Sequence, residues 1–187
     1  MKTAKKKITI SFLLICLAVL SVSCGKKSDA PVPEEAVLKA MFSCPNEELF
    51  HPDSISVIGL GVEPDERRAE LQEELQAENE ENWLKAVGSC FTENGFDRFM
   101  ANGPSIYYHA MAAFSGCKIE VNSIETEKED EGKSLCTVSL TVIDPDGKET
   151  EVSAVCRVSF EKDGGKLQSV EVTDDKELTE LLASSAV

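Results

Sequence analysis

The residues best placed to do chemistry stand close together: His109 follows directly on Tyr107 and Tyr108, and Asp97 lies a short way upstream. An imidazole near phenols and a carboxylate is the raw material of general acid–base catalysis, provided that burial tunes one of the groups. His109 also falls between Ile106 and Ala113, on the flank of an apolar stripe, where a half-buried structural histidine is equally natural. Trp83, Tyr107 and His109 could line a small apolar pocket, although core packing is the more ordinary fate of a tryptophan. The other histidine, His51, precedes Pro52 and reads as a turn residue. No nucleophile pair, phosphate loop or metal-ligand spacing accompanies these groups, so catalysis is not the expected role and no cofactor is implied.

The cysteines carry the second set of possibilities. Of seven, Cys16 lies in an apolar N-terminal run and Cys24 ends it, leaving Cys44, Cys90, Cys117, Cys136 and Cys156. None are spaced as C-x-x-C, and with only two histidines zinc has no support. An odd number cannot all pair internally, and a free cysteine is among the commonest buried small residues. Asp144 and Asp146 before Gly147 imitate part of a calcium loop, but no series of oxygen ligands continues to a bidentate Glu. Asp-Pro-Asp-Gly is better explained as turn chemistry.

The N-terminus decides the address. Lys5, Lys6 and Lys7 lead an apolar run from Ile8 to Leu20, and the small residues Ser21 and Ser23 stand just before Cys24. This is the secretory layout, and the run falls short of the about 20 apolar residues of a membrane span. Ending in a cysteine, the stretch resembles the lipobox of bacterial lipoproteins. The third residue before the cysteine, commonly Leu in that family, is Ser21 here, with Leu20 one step further out. The resemblance implies a signal peptide over residues 1–23, a diacylglycerol on the Cys24 thiol, and residence at the outer, extracytoplasmic face of the cell membrane.

Residues 24–33 contain Pro31 and Pro33 and no apolar period, so they read as a tether. Loss of residues 1–23 takes away four lysines and no acids, leaving 15 basic against 34 acidic residues and a net charge of −19. That balance argues against nucleic acid and against anionic lipid surfaces. The membrane is therefore expected to be met through the N-terminal lipid. A basic protein could dock on the acidic stretch Glu63 to Glu81, although such a run is most often a solvated helix face.

The remaining residues, 34–187, read as one α+β domain: helices over 34–116, a sheet over 117–173, then a short C-terminal helix. Val37, Ala40, Met41 and Cys44 share a helix face that Pro45 should stop. Asp65 should open a second helix running to Asn94-Gly95, with Phe96 to Met100 as one further turn. Pro104 and Gly116 bracket a third. An apolar stretch, Ile55 to Ile58, reads as loop or short extended segment. After Gly116 the apolar period becomes two. Cys136, Val138, Leu140 and Val142 face one way in one strand, and Ala154, Cys156, Val158 and Phe160 in the next, with Asp144 to Gly147 as a type I turn and bulge. In that register Cys136 lies opposite Cys156, close enough for a disulfide. Parity shifts after Val121 and Leu167 predict bulges that curve the outer strands.

Helices followed by a curved four-stranded antiparallel meander resemble the nuclear transport factor 2-like or cystatin-like cone. The resemblance rests on element order. It implies either a binding or interaction module or, as the alternative, a small-molecule pocket protein or enzyme using His109 and Tyr107; fold alone does not choose.

Overall fold

A computed structural model describes residues 32–51, 53–54, 66–130, 132–162 and 165–186. These belong to one compact unit, Pro31–Val187. The stretch read as a signal peptide, Cys24, nearly all of the expected tether, the Ile55 to Ile58 stretch and Asp65 lie outside the described residues.

Helix α1 spans Pro33–Phe42, so Pro33, read as tether, is its first residue. The proline ring supplies a helical φ where no intrahelical N–H bond is required, and Glu34 and Glu35 suit the positive end. Val37, Leu38, Met41 and Phe42 form the buried face. The helix stops two residues before Cys44 because the residue preceding a proline avoids helical backbone. Cys44 instead forms an antiparallel bridge to Ile119, N–H to O 3.1 Å one way and 2.7 Å the other. The Cys44–Pro45 peptide is cis.

Helix α2 spans Glu66–Val87, and among its described side chains, residues 70–87, it buries Leu75, Asn79, Trp83 and Val87, a seam one residue wide repeating every four positions. Leu71 and Leu84 stay exposed. The expected continuation to Gly95 does not occur. The chain tightens into a 3₁₀ turn over Gly88–Cys90, and Phe91 pairs with Leu167 as a parallel bridge. Thr92 then caps helix α3, Glu93–Ala101, its Oγ1 accepting the Gly95 N–H at 3.1 Å. Gly95 lies inside this helix and does not end one; a Cβ there would meet the Leu167 carbonyl oxygen at 2.5 Å. Helix α4, Pro104–Ser115, has the expected bounds and ends on left-handed Gly116, φ +67°.

The sheet is an antiparallel meander, β1 (Lys118–Asp130), β2 (Lys133–Ile143), β3 (Glu149–Phe160) and β4 (Leu167–Asp174), in the order β1-β2-β3-β4. The β2–β3 turn follows the sequence reading: Asp144 N–H donates to Lys148 O at 3.1 Å, and Gly147 takes φ +81°. Asp144 Oδ1 accepts the N–H groups of Asp146 (3.0 Å) and Lys148 (2.9 Å), which is what that carboxylate does locally. Register shifts fall at Val121/Ser123 and at Ser159/Phe160, opposite Ser169 and Leu167. Helix α5, Lys176–Ser185, turns Leu178 and Leu182 into the core.

The architecture is α+β, with the helices on one face of the sheet. Cys136, Val138, Leu140, Val142, Ala154, Cys156 and Val158 share one cluster with Phe42, Trp83, Phe91, Phe99, Tyr108 and Leu178. At the outer edge, β1 carries Glu125, Glu127, Lys128, Glu129 and Asp130, charges that discourage a further strand from adding there.

Candidate functional site

His109 is wholly buried on α4, and both ring nitrogens are engaged by backbone. Nδ1 accepts the Asn46 N–H at 3.2 Å, which leaves Nε2–H to donate to the Ala40 carbonyl at 3.0 Å. The ring is thus a neutral Nε2–H tautomer joining the end of α1, the turn after Pro45 and α4. Trp83 meets it edge-on at 5.7 Å between centroids, and Phe50 lies 6.2 Å away. Burial pushes its pKa below the ordinary imidazole value, partly opposed by the bond to Ala40. A base enclosed by two aromatic rings and two backbone groups is a structural strut.

Trp83 is also wholly buried, edge-on to Phe99 at 5.4 Å, and its Nε1–H has no hydrogen-bond partner among the described residues. Tyr107 goes elsewhere: it is 43% exposed on the far flank of α4. The three residues expected to share a pocket wall therefore do not. Trp83 and His109 are core, and Tyr107 is surface. Asp97, the candidate acid partner, lines a separate cleft with Gln76, Glu80 and Ile106.

Tyr108, not Tyr107, turns inward. Its ring lies 4.7 Å from Phe42, and its hydroxyl donates to Asp175 Oδ2 at 2.7 Å, tying α4 to the start of α5. Burial first, and the Asp175 carboxylate second, push the phenol far above its usual pKa, so it is a permanent donor. His51 lies at the surface, where its Nδ1 accepts the Asp53 N–H at 3.2 Å. Its own N–H donates to Asn79 Oδ1 at 3.0 Å.

Two of the clefts adjoin the residues singled out above. One of about 240 Å³ is lined by Phe50, Ser54, Gln72, Leu75, Asn79 and Ile106, with amides and a hydroxyl as the polar groups among the described residues. The other, about 490 Å³, runs between the start of α4 and β4; Asn102, Pro104, Tyr107 and Tyr108 form one wall and Ser169, Val170, Glu171 and Val172 the other. Sequence reading singled out Tyr107 but missed β4. The available signal was that β4 is the last strand of a meander and so must have an open side.

Cys136 stands opposite Cys156 in the β2–β3 register, both wholly buried, and both are free thiols. Cys136 Sγ has the Thr126 hydroxyl 3.6 Å away. Burial pushes Cys156 up to about 12 and raises Cys136 as well. The thiolate that disulfide exchange needs is then scarce at both positions in the folded protein. Of the five domain cysteines, a thiol reagent should first label half-buried Cys90 in the native protein and reach all five after denaturation without reductant. Mass spectrometry reads this directly; Cys136 and Cys156 left unlabelled together after denaturation would show them to be bonded.

Among the described residues no helix is long and apolar enough to cross a membrane. Comparison with protein-family models, curated proteins and solved structures found no match, so the likeness to the nuclear transport factor 2-like cone rests on element order alone.

Proposed function

We propose that this protein is an extracytoplasmic interaction module, held at the outer face of the cell membrane by a lipid on Cys24, which presents a protein-binding surface and has no catalytic role. The observation that carries this reading is His109. The histidine an acid–base mechanism would need spends both nitrogens on backbone, between Trp83 and Phe50. The alternative, a small-molecule pocket, would be entered through the 240 Å³ cleft, and the polar groups there are amides and a hydroxyl, with neither His109 nor Tyr107 in its wall. The lipobox-like stretch before Cys24 supports the address, and the net charge of −15 over the whole chain favours basic partners over nucleic acid.

Cys24→Ala should abolish incorporation of labelled fatty acid into the protein and, once residues 1–23 with their apolar run are cut away, leave it in the aqueous phase on detergent partitioning. A Cys24→Ala protein that still takes up the label overturns the reading of Cys24 as the lipid attachment site.

A further inference from the structure

We infer that the outer edge of β4, together with the aromatic shelf of α4, is a docking slot for one extended, lysine- or arginine-bearing polypeptide segment, which adds to the sheet as a fifth strand. The inference rests on the reading of this protein as an interaction module and names the part of its surface that interacts. Neighbouring residues on a strand point to opposite faces, so four consecutive ones can line a single groove only along the strand's edge. Ser169, Val170, Glu171 and Val172 do so, which makes backbone the main feature of that wall. Among the described strands β4 pairs with β3 alone, and an edge of this kind offers unpaired N–H and C=O groups to an incoming chain.

The protein already uses this edge in that manner. Phe91 bridges to Leu167, and the Thr92 N–H donates to the Leu167 carbonyl at 2.9 Å. Helix α3 then packs against the start of β4 through Gly95, and the groove opens beyond its end, at Asn102 and residues 169–172. The opposite wall supplies Pro104 and the exposed ring of Tyr107, which packs edge-on at 5.2 Å against buried Tyr108, itself fixed by Asp175. Four residues of strand span roughly 13 Å, enough for a segment of four to six residues.

Charge selects the occupant. Glu171 is exposed and is the charged residue in the groove's walls. Arg157 on β3 stands opposite Glu171 and is drawn to it, but both of its hydrogen bonds go to Glu129, Nε to Oε2 at 2.9 Å and Nη2 to Oε1 at 3.3 Å. A second copy of this acidic chain would add carboxylates beside Glu171, whereas a basic side chain would find a carboxylate that Arg157 does not hydrogen-bond. The β1 edge, with five charged residues between Glu125 and Asp130, does not offer the same welcome.

The test uses the full chain in detergent and a fluorescent capped peptide of four Val-Lys repeats. Expected are saturable binding that weakens with salt, and slowed amide exchange at residues 169–172. Glu171→Lys should weaken binding about tenfold and Tyr107→Ala about fivefold; both residues are exposed, so the fold should persist. A Val-Glu peptide, or a Val-Lys peptide methylated at alternate backbone nitrogens, should bind at least tenfold more weakly. Absence of binding, protection confined to acidic α2, equal binding of the Val-Glu peptide, or concentration-dependent protection of β4 without peptide each overturns the inference, the last by showing a second copy to be the occupant. None of these outcomes touches the Cys24 partitioning result, so the anchor and the slot stand or fall separately.

Discussion

Trp83→Ala should cost about 3 to 5 kcal/mol of folding stability, the largest effect of any single side-chain truncation in this domain. Trp83 is the largest side chain that is wholly buried, and it fills the space between the α2 seam, Phe99 of α3 and His109 of α4. Removing it opens a void walled by side chains from three elements, each anchored elsewhere, so collapse can recover little. Phe99 is held by Phe91 at 5.0 Å, and His109 by its two backbone bonds. The expected fall in Tm is roughly 10 °C or more for a domain of this size. Trp83→Phe should be far milder, about 1 to 2 kcal/mol, because it keeps an aromatic ring in place and removes the indole N–H that lacks a partner among the described residues. Chemical denaturation of the two variants checks both values. A Trp83→Ala protein within about 1 kcal/mol of the parent would mean that the space between helices and sheet is not filled as described.

The second large effect is an acid limb in stability. His109 is neutral when folded, and its folded pKa lies below the unfolded value of about 6.5 because burial opposes the charge. Protonation at Nδ1 would also replace the acceptor of the Asn46 N–H with a donor. The contribution of the neutral ring is fully present above the unfolded pKa. As pH falls below about 6.5 the unfolded chain gains a proton that the folded chain refuses, and stability declines towards the depressed folded pKa. The slope from this one group approaches about 1.4 kcal/mol per pH unit. Glu129, lowered mainly by its bond to Arg157, loses its contribution only as pH falls from 4.5 towards its lower folded value, below the interval from about pH 6.5 to 5, and comparison with a variant lacking the imidazole separates His109 from His51, which lies 3.8 Å from Asp53. His109→Gln, which cannot titrate, should be less stable at pH 7.5 yet nearly flat across that interval. Parallel curves for the two proteins would remove His109 as the cause.

The sheet was legible in the sequence because period two leaves little choice of face. Asp144 to Gly147 set the β2–β3 register, and the parity shifts after Val121 and Leu167 located bulges that the structure contains. Helix α4 was legible through Pro104 and Gly116. The break between α2 and α3 was not recognised, although Gly88, the one poor helix former from Trp83 to Phe91, stands at it. It is imposed from outside, by Phe91 pairing with Leu167 and by Thr92 capping α3. For the same reason Gly95 looked like a helix stop, whereas it is the residue that lets α3 approach β4.

The candidate site was legible only in part. Helical spacing placed His109 on the flank of the stripe and Tyr107 beside it, and nothing local says that the tighter side of the flank is the histidine's. Its burial depends on Asn46 and Ala40, more than sixty residues away in sequence. Cys136 facing Cys156 was legible as register. The rise in both thiol pKa values was not, because it depends on how deeply the helices bury that face.

The central claim is that the interior is filled by structural groups and that function lies at the surface. Nitrogen-detected NMR of the two imidazoles across pH tests it most directly. The account predicts that His109 remains the neutral Nε2–H tautomer down to the onset of acid unfolding, with a native pKa below 6.5 that does not respond to added small polar ligands. A His109 ring that titrates reversibly near 6.5 in the folded protein, or whose pKa moves when a small molecule is added, would contradict it and return the interior to the list of places where chemistry could occur.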